Sequence, residues 1–194
     1  MKNKRTKSFC LVFFALFALS TIATAQSNLL ANPGFEFVGP TGQSTTLSGA
    51  GATGWFSAAD SWYTWQNAPG TIQTDLVASS DPNFGGVNML HVYTTCASCG
   101  IFTMSGPSNQ GPAQVSFAVD VYVVQGCVGF GAGNGGDTYI TASTCVRNRW
   151  ITLKGRNGVS PVNQFIMYSY QGAAEWYVDN VAVTLKTNPI GAKQ

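Results

Sequence analysis

Apolar and polar residues alternate with a period of two along much of this chain, most clearly over residues 115–123. There the sequence VSFAVDVYV places its apolar residues at every second position, with Ser116, Asp120 and Tyr122 among the residues between them. Successive side chains of an extended strand point to opposite faces, so such a strand buries one face and turns the other toward water. The pattern predicts a half-buried β-strand at 115–123.

Shorter segments of the same kind recur, each bounded by clusters of Gly, Pro, Asn or Ser, which are the residues of turns. They cover residues 70–77, 87–94, 100–104, 126–131, 138–145, 150–154, 163–170 and 176–185. No window of about a dozen residues carries apolar positions at helical spacing without an interrupting Gly or Pro. We therefore predict an all-β domain, a two-sheet β-sandwich with jelly-roll topology.

The first 25 residues differ in character from the rest of the chain. Basic residues within positions 2–7 precede an apolar run over 9–19, and small residues then end in Ala-Thr-Ala. This order is typical of a cleaved secretory signal, and the apolar run is shorter than the roughly 20 residues that span a bilayer as a helix. We assign residues 1–25 to a signal peptide, 26–186 to the sandwich and 187–194 to a loose tail. We expect a mature chain without a membrane span, secreted, periplasmic or at the cell surface.

Removal of the signal changes the charge of the protein. The whole sequence has 10 Lys and Arg against 8 Asp and Glu, and the signal holds four of the basic residues, which leaves six against eight. The sequence shows no Lys/Arg patch of the kind that nucleic-acid binders carry, so we expect no nucleic-acid partner. Only 9% of the residues are charged while 45% are hydrophobic, a composition that indicates a folded domain rather than a disordered one.

Four cysteines remain once Cys10 leaves with the signal: Cys96, Cys99, Cys127 and Cys145. An even number in an exported chain indicates disulfide bonds. Of the three possible pairings we favour Cys96 with Cys99, and Cys127 with Cys145, because the second pair stands at the outer ends of a predicted hairpin. The alternatives are a zinc site, which usually shows two close pairs, and a redox pair, which usually starts a helix.

Catalytic chemistry has little support in the sequence. His91 is the one histidine, and no nucleophile motif accompanies it to complete a hydrolase triad. A glycosidase needs two carboxylates across a cleft, and Asp120 alone falls on the polar face of a clear strand. We predict that the protein is not an enzyme, and keep a hydrolase or lyase dependent on Asp120 as the weakest alternative.

Aromatic residues supply the candidate ligand contacts. Flat rings stack on the apolar faces of sugars and are seldom exposed without a function. Trp62 and Trp65 crowd the stretch SWYTWQN, and their spacing keeps them from being buried together on one strand face. Tyr93, Tyr122 and Tyr139 fall on faces predicted to point away from the core. We predict that these five residues contact a ligand; the alternative is that the rings cover the second sheet or fill the cores of loops.

Segments at the two ends of the mature chain resemble a known family. The sequence NLLANPGFE at 28–36 is followed by Gly-Trp at 54–55, and WITL at 150–153 precedes WYVDNVAV at 176–183. This order resembles the carbohydrate-binding modules of the family four and nine type, within the galactose-binding-domain-like superfamily. The resemblance covers about residues 28–185.

The resemblance implies a jelly-roll sandwich in which the first and last strands lie close together. It also implies a structural calcium ion near that junction, with Glu36 and Asp179 at the matching acidic positions; calcium prefers hard oxygen ligands of this kind. The implied function is that of a secreted, non-catalytic protein that binds a polysaccharide or glycan. The alternative is an exported structural or adhesive protein that uses the same sandwich for protein or matrix contacts.

Overall fold

The computed structural model describes residues 28–49, 56–83, 85–103, 115–134, 137–157 and 164–185, and within these it describes only the backbone of 133–134, 137–140 and 157. The predicted signal peptide, the predicted tail and the Gly-Trp pair at 54–55 lie outside the described residues. In the described part of the chain, no helix is long and apolar enough to cross a membrane.

Two antiparallel sheets make up the described structure. The strands are β1 (Ser44–Gly49), β2 (Tyr63–Gln66), β3 (Gly70–Ala78), β4 (Asn88–Thr94), β5 (Cys99–Thr103), β6 (Val115–Gln125), β7 (Val128–Asn134), β8 (Asp137–Thr144), β9 (Trp150–Asn157), β10 (Gln164–Ser169) and β11 (Ala174–Leu185). The large sheet has the order β1-β3-β4-β11-β6-β9, and the small sheet has the order β2-β5-β10-β7-β8. The predicted all-β, two-sheet architecture is confirmed, and β1 and β2 are strands that the sequence pattern did not predict.

The inner faces of the two sheets form one core. On β6 the alternation runs as predicted except at one residue: Val119 and Val121 are fully buried and Tyr122 is partly covered, whereas Asp120, predicted on the polar face, is 2% exposed. The carboxylate of Asp120 accepts hydrogen bonds from Thr152 and Asn180. The two sheets meet at Phe117 and Phe130, whose rings pack edge to face with centroids 4.6 Å apart. The alternation along each strand therefore decides which side chains are left on the two outer faces of the sandwich.

The segment before β1 is fastened to β11, the last strand. The Leu29 amide donates to the Val183 carbonyl at 2.8 Å, and the Val181 amide donates to the Pro33 carbonyl at 2.9 Å. The side chain of Asn28 adds two bonds, donating to the Val181 carbonyl at 2.7 Å and accepting from the Val183 amide at 3.0 Å. The expectation that the first and last strands lie close together holds for this leading segment, whereas β1, the first strand, is separated from β11 by β3 and β4.

A buried turn around Asn32 connects this segment to the core. Asn32 has a φ of 47°, a conformation that asparagine tolerates better than most residues. Its side chain donates to the carbonyls of Phe37 and Asp60, and its own carbonyl accepts from the indole Nε1 of Trp62 at 3.1 Å. The Phe35 ring packs on Trp62 with centroids 4.9 Å apart. The motif at 28–36 thus anchors the start of the domain to the core.

Both favoured disulfide pairings are confirmed. Cys96 pairs with Cys99 between β4 and β5, and Cys127 pairs with Cys145 across the open end of the β7–β8 hairpin. The second bond closes a loop with a sequence separation of 18 residues, for which the chain-entropy argument gives about 3 kcal/mol of stabilisation.

Candidate functional site

The outer face of the small sheet carries a cluster of aromatic rings. On β2 the buried residues Thr64 and Gln66 alternate with Tyr63 and Trp65, which are partly exposed. Residues paired directly across antiparallel strands share a face. Trp65 pairs with Gly100, which in turn pairs with Tyr168 on β10. Trp65 and Tyr168 therefore lie on the outer face, on either side of a glycine.

Gly100 allows these two rings to meet. A Cβ atom added there would lie 1.9 Å from the Met167 carbonyl oxygen and 2.6 Å from the Tyr168 Cα, so no larger residue fits without moving β10. The rings of Trp65 and Tyr168 approach across this gap with centroids 5.2 Å apart, in an edge-on contact. The same row continues to Gly129 on β7 and to Ser143 on β8.

A second row of rings lies alongside the first. Tyr63 stacks on Phe102 with centroids 5.5 Å apart and an interplanar angle of 30°. Phe56, which is 43% exposed, lies 5.4 Å from Tyr63 on its other side. The Phe102 ring itself is buried, so it supports Tyr63 from the side. We call the five rings Phe56, Tyr63, Trp65, Phe102 and Tyr168 the aromatic platform.

The platform is suited to an uncharged ligand with flat apolar faces. Trp65, Tyr63 and Tyr168 combine partly exposed ring surface with N–H or O–H groups that can donate hydrogen bonds. Burial raises the pKa of the Tyr168 phenol, and the neighbouring Tyr170 raises it further, so this hydroxyl stays protonated and neutral at physiological pH.

The structure distributes the five predicted contact residues over different parts of the sandwich. Trp65 belongs to the platform, whereas Tyr93 and Tyr122 lie on the outer face of the large sheet. Tyr139 is in β8 of the small sheet, and its side chain lies outside the described part. The predicted set therefore does not form one site.

The position of Trp62 corrects the prediction that this residue contacts a ligand. Its ring is 0% exposed, packs on Phe35 and donates its indole hydrogen to Asn32. Because a turn at Ser61, with a φ of 65°, precedes β2, Trp62 enters the core rather than the outer face. The Trp62 ring is therefore a structural part of the core and is not accessible to a ligand.

Four residues of the platform are not among the predicted contacts: Phe56, Tyr63, Phe102 and Tyr168. Tyr63 lies between the two tryptophans in the sequence, and the strand alternation that places it with Trp65 was the available signal. Tyr168 lies in the sequence QFIMYS, where residues 165–167 are all fully buried. An apolar run of this kind does not reveal which residues face outward.

His91 is held between two carboxylates on the outer face of the large sheet. Its Nδ1 lies 3.1 Å from Asp75 Oδ2, and its Nε2 lies 3.1 Å from Glu175 Oε1. Burial opposes ionisation of Asp75, but hydrogen bonds from Ser44 and His91 outweigh it and hold the pKa of that carboxyl below its ordinary value. Because the two carboxylates contact opposite edges of the imidazole, they cannot share one metal ion with it. The cluster crosslinks β3, β4 and β11.

Asp179, one of the two predicted calcium ligands, is a buried carboxylate that is repelled by other carboxylates. Its side chain is 0% exposed, and its oxygens accept from Ser79 Oγ and from the Asn180 amide, both at 2.7 Å. Burial raises the pKa of Asp179 to about 6, and the charges of Asp81 and Glu36 add to the effect. Ionisation of Asp179 is therefore opposed first by its burial and then by the charges of Asp81 and Glu36.

Glu36, the other predicted calcium ligand, accepts the Val87 amide on both of its oxygens, at 2.9 and 3.1 Å. Nearby, burial raises the pKa of Asp81, and the charge of Asp120 raises it further; Asp81 Oδ2 has no hydrogen-bond partner among the described residues. These are hard oxygen donors, which suit calcium. Still, within the described ranges no three His, Cys, Asp or Glu side chains converge as a metal-binding group. Backbone carbonyls would have to supply the remaining ligands.

Comparison with known proteins shows similarity in structure alone. No protein-family model matches the chain, and no curated protein matches it in sequence. The CBM22-1 xylan-binding domain of Xyn10C from Paenibacillus barcinonensis has a TM-score of 0.56 at 18% identity, covering 86% of this chain and 99% of that one. The C-terminal family 22 carbohydrate-binding module of Clostridium thermocellum Xyn10B has a TM-score of 0.51 at 15% identity, covering 68% and 89%.

The chain has the fold of a carbohydrate-binding module. A third similar structure is the enzymatically active domain of tailspike protein 4 from bacteriophage CBA120, with a TM-score of 0.51 at 10% identity. The match covers 82% of this chain and 21% of the tailspike chain. At identities this low the likeness establishes the fold, and the function has to be argued from the site.

Proposed function

We propose that this protein binds a polysaccharide or glycan on the aromatic platform and does so without catalysis. The observation that carries the proposal is the edge-on pair of Trp65 and Tyr168 across Gly100, with both rings partly exposed on one sheet face. Sugar rings present flat C–H surfaces that stack on such rings, and the surrounding hydroxyl, indole and amide groups then fix the orientation.

The position of the carboxylates supports a binding role over a hydrolytic one. Asp75, Asp120, Glu175 and Asp179 lie on strands of the large sheet, whereas the platform lies on the small sheet. The acidic residue on the strands of the small sheet is Asp137 in β8, which is at the opposite edge of that sheet from β2. A glycosidase needs two carboxylates that flank the bond to be cleaved. We propose that the platform acts by stacking and hydrogen bonding alone.

Two finer assignments belong to the same proposal. The segments at 28–36 and 176–183 support a place among modules of the family four and nine type. The signal-like residues 1–25 support export, and the two disulfides are consistent with an oxidising compartment outside the cytoplasm.

Substitution of Trp65 by alanine tests the platform. We expect binding to the preferred neutral polysaccharide to weaken at least about tenfold, since a central aromatic anchor commonly contributes more than about 1 kcal/mol and 1.4 kcal/mol corresponds to tenfold. The measurement is affinity electrophoresis or calorimetry across neutral polysaccharides such as xylan, galactan and β-glucan.

The matched controls are Trp150→Ala and Tyr122→Ala, which remove partly exposed rings from the outer face of the opposite sheet. Both should bind like the parent protein. Loss of binding in Tyr122→Ala with normal binding in Trp65→Ala would move the ligand to the large sheet. No binding to any glycan would favour the structural or adhesive alternative.

We further propose that Glu36 and Asp179 hold a structural calcium ion. A divalent cation between them would stabilise the charged form of Asp179, which burial and the charges of Asp81 and Glu36 disfavour. A ligand that binds only the folded state raises its stability, so excess calcium should raise the melting temperature relative to excess chelator. Asp179→Asn should abolish that difference, and equal melting temperatures in the parent protein would refute the site.

A further inference from the structure

Positive charge between residues 28 and 185 is confined to one short segment. Between residues 28 and 185 the sequence has four Lys or Arg residues, all within 147–156: Arg147, Arg149, Lys154 and Arg156. The eight Asp and Glu residues all lie between 28 and 185 as well, and none of them is in 147–156. This concentration corrects the expectation that the cations form no patch. We call the segment 147–156 the cationic edge.

The fold places this segment along one edge of the large sheet. β9 is the terminal strand of that sheet and pairs only with β6 there. Lys154 and Arg156 are two residues apart, so they share a face, and they pair with Ala118 and Ser116, which alternate with the buried core residues of β6. Both cations therefore point outward, and Arg147 and Arg149 are also exposed in the turn before β9.

A groove of about 460 Å³ adjoins the two cations of β9. Small side chains of β6 and β11 line it: Ser116, Ala118, Ala182 and Thr184. Because these residues are short, the side chains of Lys154 and Arg156 rise beside a recess. The hydroxyls of Ser116 and Thr184 supply hydrogen-bonding groups next to the charges.

These charges are not neutralised within the described part of the chain. The ion pairs found there both involve His91. The nearest carboxylate along β6 is Asp120, which is 2% exposed and already accepts hydrogen bonds from Thr152 and Asn180. Lys154 and Arg156 are thus available to an external anion.

Protection of a sheet edge does not account for the concentration. Lysine on an edge strand discourages pairing with another chain, but β1, β2 and β8 are also terminal strands of their sheets. Their sequences contain no Lys or Arg. The fold therefore has edges without cations, and β9 alone among these four edge strands is basic.

We propose that the cationic edge binds the anionic groups of an acidic polysaccharide, either uronic-acid carboxylates or sulfate esters. The proposal rests on the proposed function in taking the ligand to be a glycan, but it uses the opposite sheet from the aromatic platform. Duplex DNA, with one charge per roughly 1.7 Å, fits less well, because residues 28–185 carry eight acidic against four basic residues and would repel so dense an anion.

The test uses the double variant Lys154→Gln/Arg156→Gln and, as the matched control, Lys186→Gln/Lys193→Gln, which changes the net charge equally. The probes are polygalacturonate, dextran sulfate, neutral xylan and duplex DNA, at low salt and at about 0.15 M salt, where screening acts over about 8 Å. Thermal melting confirms that each variant is folded.

We expect Lys154→Gln/Arg156→Gln to weaken binding to polygalacturonate, dextran sulfate or both at least about tenfold at low salt, with xylan binding unchanged. Preference for one acidic polymer identifies the carboxylate or the sulfate as the group bound. Binding that survives in this variant, or that falls equally in Lys186→Gln/Lys193→Gln, would overturn the proposal. Tighter binding to DNA with the same sensitivity would overturn it in favour of a nucleic acid.

The experiment distinguishes the proposal for the cationic edge from the proposal for the aromatic platform. Trp65→Ala reports on neutral polysaccharides and should leave the dependence on Lys154 and Arg156 intact. An acidic polymer that binds through the cationic edge while no neutral glycan binds would reject the aromatic platform and retain the cationic edge. If a neutral glycan binds through Trp65 and no acidic polymer binds through Lys154 and Arg156, the cationic edge alone would be rejected.

Discussion

Replacing Trp62 with alanine is expected to lower the free energy of unfolding by about 3–5 kcal/mol, as for other large-to-small changes of buried aromatic residues. The substitution removes a fully buried ring, its packing on Phe35 and the hydrogen bond from its Nε1 to the Asn32 carbonyl. That carbonyl would then lose a buried donor. The loss should appear in chemical denaturation curves as a lower midpoint.

The neighbouring substitution Trp65→Ala is the matched comparison, because it separates an effect on stability from an effect on binding. Trp65 is partly exposed on the outer face, so its removal should cost less stability and should reduce ligand binding instead. Trp62→Ala should show the opposite, with binding retained by the folded fraction. Unchanged stability together with lost binding in Trp62→Ala would restore Trp62 to the ligand site.

The metal-free protein is expected to lose stability as the pH rises from about 4 to about 6. Burial, with added repulsion from Asp81 and Glu36, raises the pKa of Asp179 to about 6 from an ordinary value of 3.8. Between these values the folded state holds more protons than the unfolded state, so the stability present below pH 3.8 is lost as the pH passes through 6. Asp81, whose pKa burial also raises, acts in the same direction.

Thermal melting in excess chelator between pH 4 and pH 8 measures this dependence. Asp179→Asn should flatten it and raise the melting temperature above pH 6, because a neutral amide replaces the buried charge. Asp60→Asn is the control, since Asp60 is exposed and its carboxylate accepts a hydrogen bond only from Ser61 among the described residues. A slope that is the same in Asp179→Asn and in the parent protein would contradict the assignment.

The strands that alternate cleanly could be predicted from the sequence, and those with other patterns could not. β6 follows the predicted faces at every position but Asp120, because the core covers one of its faces, whereas most of the other face is partly exposed. β1 has the sequence STTLSG and is exposed or partly exposed throughout, so no buried face produces a periodic signal. β1 is a strand because it pairs with β3. That pairing could not be predicted from the residues of β1 alone.

The candidate site was predictable only in part, for a similar reason. The crowding of Trp62 and Trp65 was visible, but their separation into core and surface depends on Asn32, which is 30 residues away. The clustering of Arg147, Arg149, Lys154 and Arg156 is a property of the sequence alone. Their common exposure along one edge required the pairing of β9 with β6.

The antiparallel fastening of residues 28–33 onto β11 has a mechanical consequence. Both ends of the described domain emerge at the same point, because Leu29 bonds to Val183 while Pro33 bonds to Val181. Tension applied between these ends would load the hydrogen bonds one after another, as in a zipper, rather than all at once. We expect the first segment to peel at low force until the load reaches Asn32, where the turn that holds Trp62 would resist further extension.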